Sequence, residues 1–147
     1  MPIAAPPSLR STCLRWLAVL SLLAGHVAAW GGPLLVVVPD TSAIQTLTRQ
    51  DLVDIYLDLN AARSAQQVVP LDRREDGLRE RFYQSLGVSL SAVRAHWAKR
   101  VFTGRGRPPP VVSSADLGQT LMQDQHALIY VDGSERPRNT RVVLTLD

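Results

Sequence analysis

Ten consecutive residues hold most of the chemistry this chain could perform. From Asp72 to Arg81 the sequence reads DRREDGLRER, with eight charged side chains of ten. Four are arginines (Arg73, Arg74, Arg79, Arg81) and four are acids (Asp72, Glu75, Asp76, Glu80), so the run is neutral overall. Neutralising a phosphate backbone needs excess cation, which makes the run a poor nucleic-acid patch. The loop RGRPPP, residues 105–110, has two arginines and no aromatic platform, and it points no more strongly to nucleic acid. A small oxyanion is a different matter. The apolar VVPL before the run and LRERFYQSLG at its end, with Leu78, Phe82 and Leu86 at i, i+4 spacing, suggest a strand, a short turn containing Gly77, and a helix start. Free backbone N–H groups at such a start attract anions, and an arginine at the strand end can add a bidentate contact. This reading selects Arg73 with the amides of Gly77, Leu78 and Arg79. The alternative is a solvated helix turn in which Glu75 pairs with Arg79 at i, i+4.

Other chemistry finds little material. Beyond residue 30 there are two histidines, His96 and His126, and neither stands in a pattern of serine, cysteine or carboxylate that marks a triad. No close His/Asp/Glu spacing suggests a metal, and no catalytic residue or cofactor is expected. The one cysteine, Cys13, lies in the N-terminal leader. That leader has Arg10 and Arg15, an apolar core over residues 16–24, and small residues at Val27 and Ala29. It reads as a secretory signal cleaved after Ala29, with membrane contact confined to that segment; a retained anchor is the alternative. Cleavage leaves 147 − 29 = 118 residues, without cysteine, expected to form one domain exported to the periplasm or beyond. Two of the 16 basic residues go with the leader and none of the 13 acids does, so the remaining charge is 14 − 13 = +1. The basic character of the whole chain is thus weak support for a polyanionic partner.

The elements that must position the charged run are readable in order. Residues 34–40, LLVVVPD, form a β-branched run ended by a proline and read as a strand buried on both faces. In LTRQDLVDIYL, Thr48 and Asp51 have capping-box spacing and Leu47 and Leu52 that of a hydrophobic staple; Leu52, Ile55, Tyr56 and Leu59 make the inward face. VVPL, 68–71, is a second strand. A helix follows from Leu78 and stops near Gly87. A third helix is capped by Ser89, presents Leu90, Val93, Trp97 and Val101 inward, and ends at Gly104. Ser113 and Asp116 announce a fourth. ALIYVD, 127–132, and RVVLTL, 141–146, are strands. The order predicts a three-layer α/β unit with a mixed sheet between helices.

Taken together, LTRQDLVDIYL, VVPLDR, RERFYQSLG, HW…VFTGRGRPP and ALIYVD resemble the phosphate-binding proteins of ABC transporters, and more closely a set of short secreted proteins similar to them. The match runs from about Leu34 to Leu146. It implies one lobe of a type 2 periplasmic-binding-protein fold, whose full-length members close two lobes on a solute. It also implies a small oxyanion such as phosphate as ligand, and a transporter or other periplasmic protein as partner. The family string Arg-Ser-Asp-Gly-Ser-Gly-Thr after the second strand corresponds here to Arg73-Arg74-Glu75-Asp76-Gly77-Leu78-Arg79. Arg73 keeps the arginine and Glu75 the acidic position, while the Ser and Thr hydroxyls are replaced. With half a site and fewer hydroxyls, a second expectation stands beside ligand binding: a protein–protein interaction or accessory module that kept the fold, with Arg105–Pro110 in its surface.

Overall fold

A computed structural model describes residues 32–60 and 67–146 of the chain. The leader, including the expected cleavage point after Ala29, lies outside them. Six strands, four α-helices and one 3-10 turn at Gly133–Glu135 are present among the described residues: β1 Leu34–Pro39, α1 Arg49–Tyr56, β2 Val69–Pro70, β3 Asp72–Arg73, α2 Asp76–Ser85, α3 Leu90–Phe102, β4 Val111–Val112, α4 Leu117–Gln123, β5 Ala127–Asp132 and β6 Thr140–Leu146. None of these helices is long and apolar enough to cross a membrane.

The main sheet has the order β2-β5-β1-β6. It is mixed: β2 runs parallel to β5, whereas β1 is antiparallel to both β5 and β6. A second, two-stranded parallel sheet joins β3 to β4. The centre of the main sheet explains its sequence. β5 is buried at every position, and β1 at all but Leu35. Strands covered on both faces read as unbroken apolar runs, as ALIYV and LLVVV do. One face, with Val36, Val38, Leu128 and Tyr130, packs on Leu52 and Tyr56 of α1, Leu78 and Phe82 of α2, and Val93 and Trp97 of α3. The other face, with Val37, Ile129 and Val131, packs on Leu117 and Leu121 of α4. Helices on both faces make the three layers expected.

The caps of α1 and α3 act as the sequence indicates. Thr48 Oγ1 accepts from the Asp51 amide at 3.2 Å, and Asp51 returns the bond to the Thr48 amide at 2.8 Å. Ser89 Oγ accepts from the Ala92 amide at 3.2 Å to start α3. Gly87 and Gly104 take the left-handed φ values of 77° and 68° that turn the chain after α2 and α3. Four details differ from expectation. Leu59 is 54% exposed, because α1 stops at Tyr56 and Asp58 turns the chain at φ 50°. Val101, in the last turn of α3, is 53% exposed. α2 starts at Asp76, two residues ahead of Leu78. α4 starts at Leu117, so the mutual bonds of Ser113 and Asp116 precede the helix and shape its entry.

Candidate functional site

The charged run does not form a uniform solvated turn. Its first two residues are the strand β3, and both are buried, Asp72 at 3% and Arg73 at 0% exposure. The chain leaves β5 at Leu71, whose amide donates to Leu128 O at 2.8 Å. It then pairs with β4 through the Asp72 and Arg74 amides, which donate to Pro110 O at 2.8 Å and Val112 O at 3.0 Å. This change of partner drives Asp72 and Arg73 inward, and each needs polar company there.

Asp72 finds it in an aromatic pocket. Tyr130 Oη and Tyr83 Oη donate to its carboxylate, the second at 3.4 Å. Arg79 reaches it with Nε at 3.1 Å and Nη2 at 2.9 Å, and the Arg73 amide donates at 2.9 Å. Around them Phe82 stacks on Tyr130 with centroids 3.8 Å apart, and Tyr56 meets the Phe82 edge at 4.7 Å. Burial first, and the Asp72 charge second, push the hydroxyls of Tyr130 and Tyr83 well above the ordinary tyrosine range, so they stay protonated donors. For Arg79, desolvation opposes the charge, yet Asp72 outweighs it and raises the guanidinium further.

Arg73 faces a second cluster. Its Nε donates to Glu75 Oε2 at 2.9 Å, and its Nη2 to Ser114 Oγ at 2.5 Å and to Glu135 Oε2 at 3.4 Å. Nη1 is buried and has no hydrogen-bond partner among the described residues. The other oxygen of Glu75, Oε1, accepts from the Ser114 amide and from Ser114 Oγ, both at 3.0 Å. Desolvation works to raise the Glu75 pKa, but the Ser114 amide, Glu75's own amide, Arg73 and the Ser114 hydroxyl together bring it down to about 2.

Of the four residues selected from the sequence, Arg73 is at this cluster. The Leu78 and Arg79 amides both donate to the Glu75 carbonyl at 3.1 Å, a consequence of the earlier start of α2. The Leu78 side chain enters the core, and the Arg79 guanidinium serves Asp72 rather than Glu75, so the expected i, i+4 pair does not form. Gly77 stands exposed in the first helical turn, ahead of the helix's first bonded amides, with open space where a Cβ would project. Sequence reasoning missed Ser114 and Glu135. Ser114 supplies a hydroxyl and an amide from 39 residues away, and the Ser113-Ser114 pair reads in sequence only as a helix cap. The two histidines stand apart from the cluster: His96 Nε2 bonds Leu57 O at 2.7 Å, and the His126 amide bonds Asp124. Among the described residues no group of three or more His, Cys, Asp or Glu could hold a metal.

A mixed sheet between helices, with a buried arginine at a strand-to-helix turn, defines an α/β unit resembling one lobe of a periplasmic binding protein. Solved structures show the same likeness. A protein from Clostridium perfringens, assigned as a phosphate ABC transporter substrate-binding protein and solved with bound phosphate, superposes with a TM-score of 0.57 at 14% identity over 76% of this chain and 44% of its own. An ABC-type phosphate transport receptor from Vibrio cholerae superposes with a TM-score of 0.56 at 18% identity, over 76% of this chain and 45% of its own. The chain thus spans less than half the length of either protein, and at these identities what is shared is the fold. No protein-family model and no curated protein matches the sequence.

Proposed function

We propose that this protein is an exported substrate-binding-protein-like module that holds a small oxyanion, such as phosphate, without turning it over, in connection with ABC-type transport. One observation carries this reading: a fully buried arginine at the strand-to-helix turn keeps Nη1 unpartnered among the described residues, while its Nη2 reaches Ser114 Oγ. A buried guanidinium with an unmet donor favours an anion. Titration calorimetry of the purified protein with phosphate and sulfate tests it. Saturable heat is the expected result, and flat heats at millimolar anion sink it. Export by a signal cleaved after Ala29 belongs to the same proposal; N-terminal sequencing of the protein recovered from the periplasm should begin at Trp30.

A second reading, an accessory module that binds another periplasmic protein, has its own observation. Residues 82–115 hold five cations (Arg94, Lys99, Arg100, Arg105, Arg107) and no acid. Arg105 and Arg107 are the exposed cations beside a groove of about 230 Å³ walled by Ile55, Asp58, Val69, Trp97 and Pro108–Pro110, where Asp58 is paired with Arg100, and Phe102 is 93% exposed near the same loop. An acidic partner fits that charge. Pull-down from periplasmic extract with the native chain and with an Arg105→Glu/Arg107→Glu variant tests it: a partner lost on charge reversal supports the module, and one retained by both argues against this surface.

A further inference from the structure

The Glu75 carboxylate sits as a bound anion would. Its two oxygens accept from three donors, Arg73 Nε at 2.9 Å and the Ser114 amide and hydroxyl at 3.0 Å each. A guanidinium with an amide and a hydroxyl from another segment is a donor set suited to a carboxylate or phosphate oxygen pair. We propose that Glu75 is an internal stand-in for the ligand, holding the Arg73 and Ser114 donors in the free protein and leaving them when an external oxyanion enters. The inference rests on the oxyanion reading above and adds a gate to it.

Several features make the exchange feasible. Glu75 occupies the N-cap position of α2, yet its side chain makes no capping bond, so the helix does not depend on it. The side chain is 29% exposed over a fully buried Arg73, which gives it a short way into solvent. Gly77 adjoins open space, and Ser114 is exposed. Glu135, 39% exposed and 3.4 Å from Arg73 Nη2, stays as a counter-ion while Glu75 is out. The low pKa of Glu75 shows that the donors favour negative charge there. A tethered competitor lowers apparent affinity by the fraction of time the site is open. Because its local concentration is in roughly the millimolar range, dilute monovalent anions are kept out.

Glu75→Ala vacates the donors and tests the gate. Phosphate should bind this variant at least about tenfold more tightly than the native protein by calorimetry, and adding Ser114→Ala should remove the gain. Acetate, a detached version of the lost carboxylate, should raise the Tm of Glu75→Ala and leave that of the native protein unchanged. Native binding with no gain in the variant overturns the gate and leaves the oxyanion reading standing. Binding by the variant alone supports the gate and removes phosphate as the native ligand. Absence of phosphate and acetate effects in both proteins, with folded-protein spectra for each, overturns both.

Discussion

Two carboxylates three residues apart on one turn of chain do opposite work. Asp72 lies at 3% exposure, with two tyrosine hydroxyls, Arg79 and a backbone amide on it. Glu75 has a 29% exposed side chain and is held by Arg73 and Ser114. The first is enclosed by the aromatic cluster of Tyr56, Phe82, Tyr83 and Tyr130, where polar bonds are strong and hard to replace. The second sits at the rim, where water can take over from either donor. What separates a structural charge from an exchangeable one is therefore how many of its partners water can replace, since both are paired with arginine.

Removing the enclosed charge should have the largest effect. Asp72→Ala leaves Arg79 facing unpaired tyrosine hydroxyls and should cost about 3–5 kcal/mol, measured by urea denaturation; a loss under about 1 kcal/mol, as for a surface pair, would erase the contrast with Glu75. Asp72→Asn keeps the shape and should recover little, because its amide group presents N–H to donors. Next in size is Tyr130→Phe. It deletes one donor to Asp72 and also an acceptor for the Arg73 amide at 3.2 Å. Asp72 keeps Arg79 and Tyr83, so about 2 kcal/mol is expected. The same change in the Glu75 cluster, Ser114→Ala, should cost less, since Glu75 can turn to water.

The sequence made the fold more legible than the site, and for physical reasons. α1 was readable because Thr48 and Asp51 act locally, within three residues of each other. β5 was readable because both of its faces are covered, which turns position in the sheet into an apolar run. β3 and β4 are two residues each, too short for any period to show. The burial of Asp72 depends on Tyr130, 58 residues away, and the environment of Glu75 on Ser114, 39 away. A charged pair in sequence carries no mark of a partner that distant. The start of α2 lies ahead of the apolar pattern for a related reason: Asp76 and Gly77 are exposed and add nothing to the inward face formed by Leu78 and Phe82. The earlier start is also what gives the Leu78 and Arg79 amides a partner, the Glu75 carbonyl.

A local reference for scale lies away from both clusters. Thr48→Ala removes the cap on α1 and should cost about 1 kcal/mol, placing it between the Asp72 and Glu75 substitutions. The spacing of the three should persist at high salt if enclosure, rather than long-range charge, sets the order.

The smallest effect concerns acid. The Glu75 pKa falls from 4.5 to about 2 on folding, so the unfolded chain takes up the proton first as the pH drops. Its contribution to stability is therefore complete above about pH 5 and is lost between there and about pH 2. Glu75→Gln cannot titrate, and its neutral amide should cost within about 1 kcal/mol at neutral pH. The difference in stability between native protein and variant should shrink as the pH falls across that window. Chemical denaturation at several pH values measures it. A difference that stays constant to the acid limit would mean that the Glu75 charge is not what holds Arg73 and Ser114, and the exchangeable side of the comparison would fail with it.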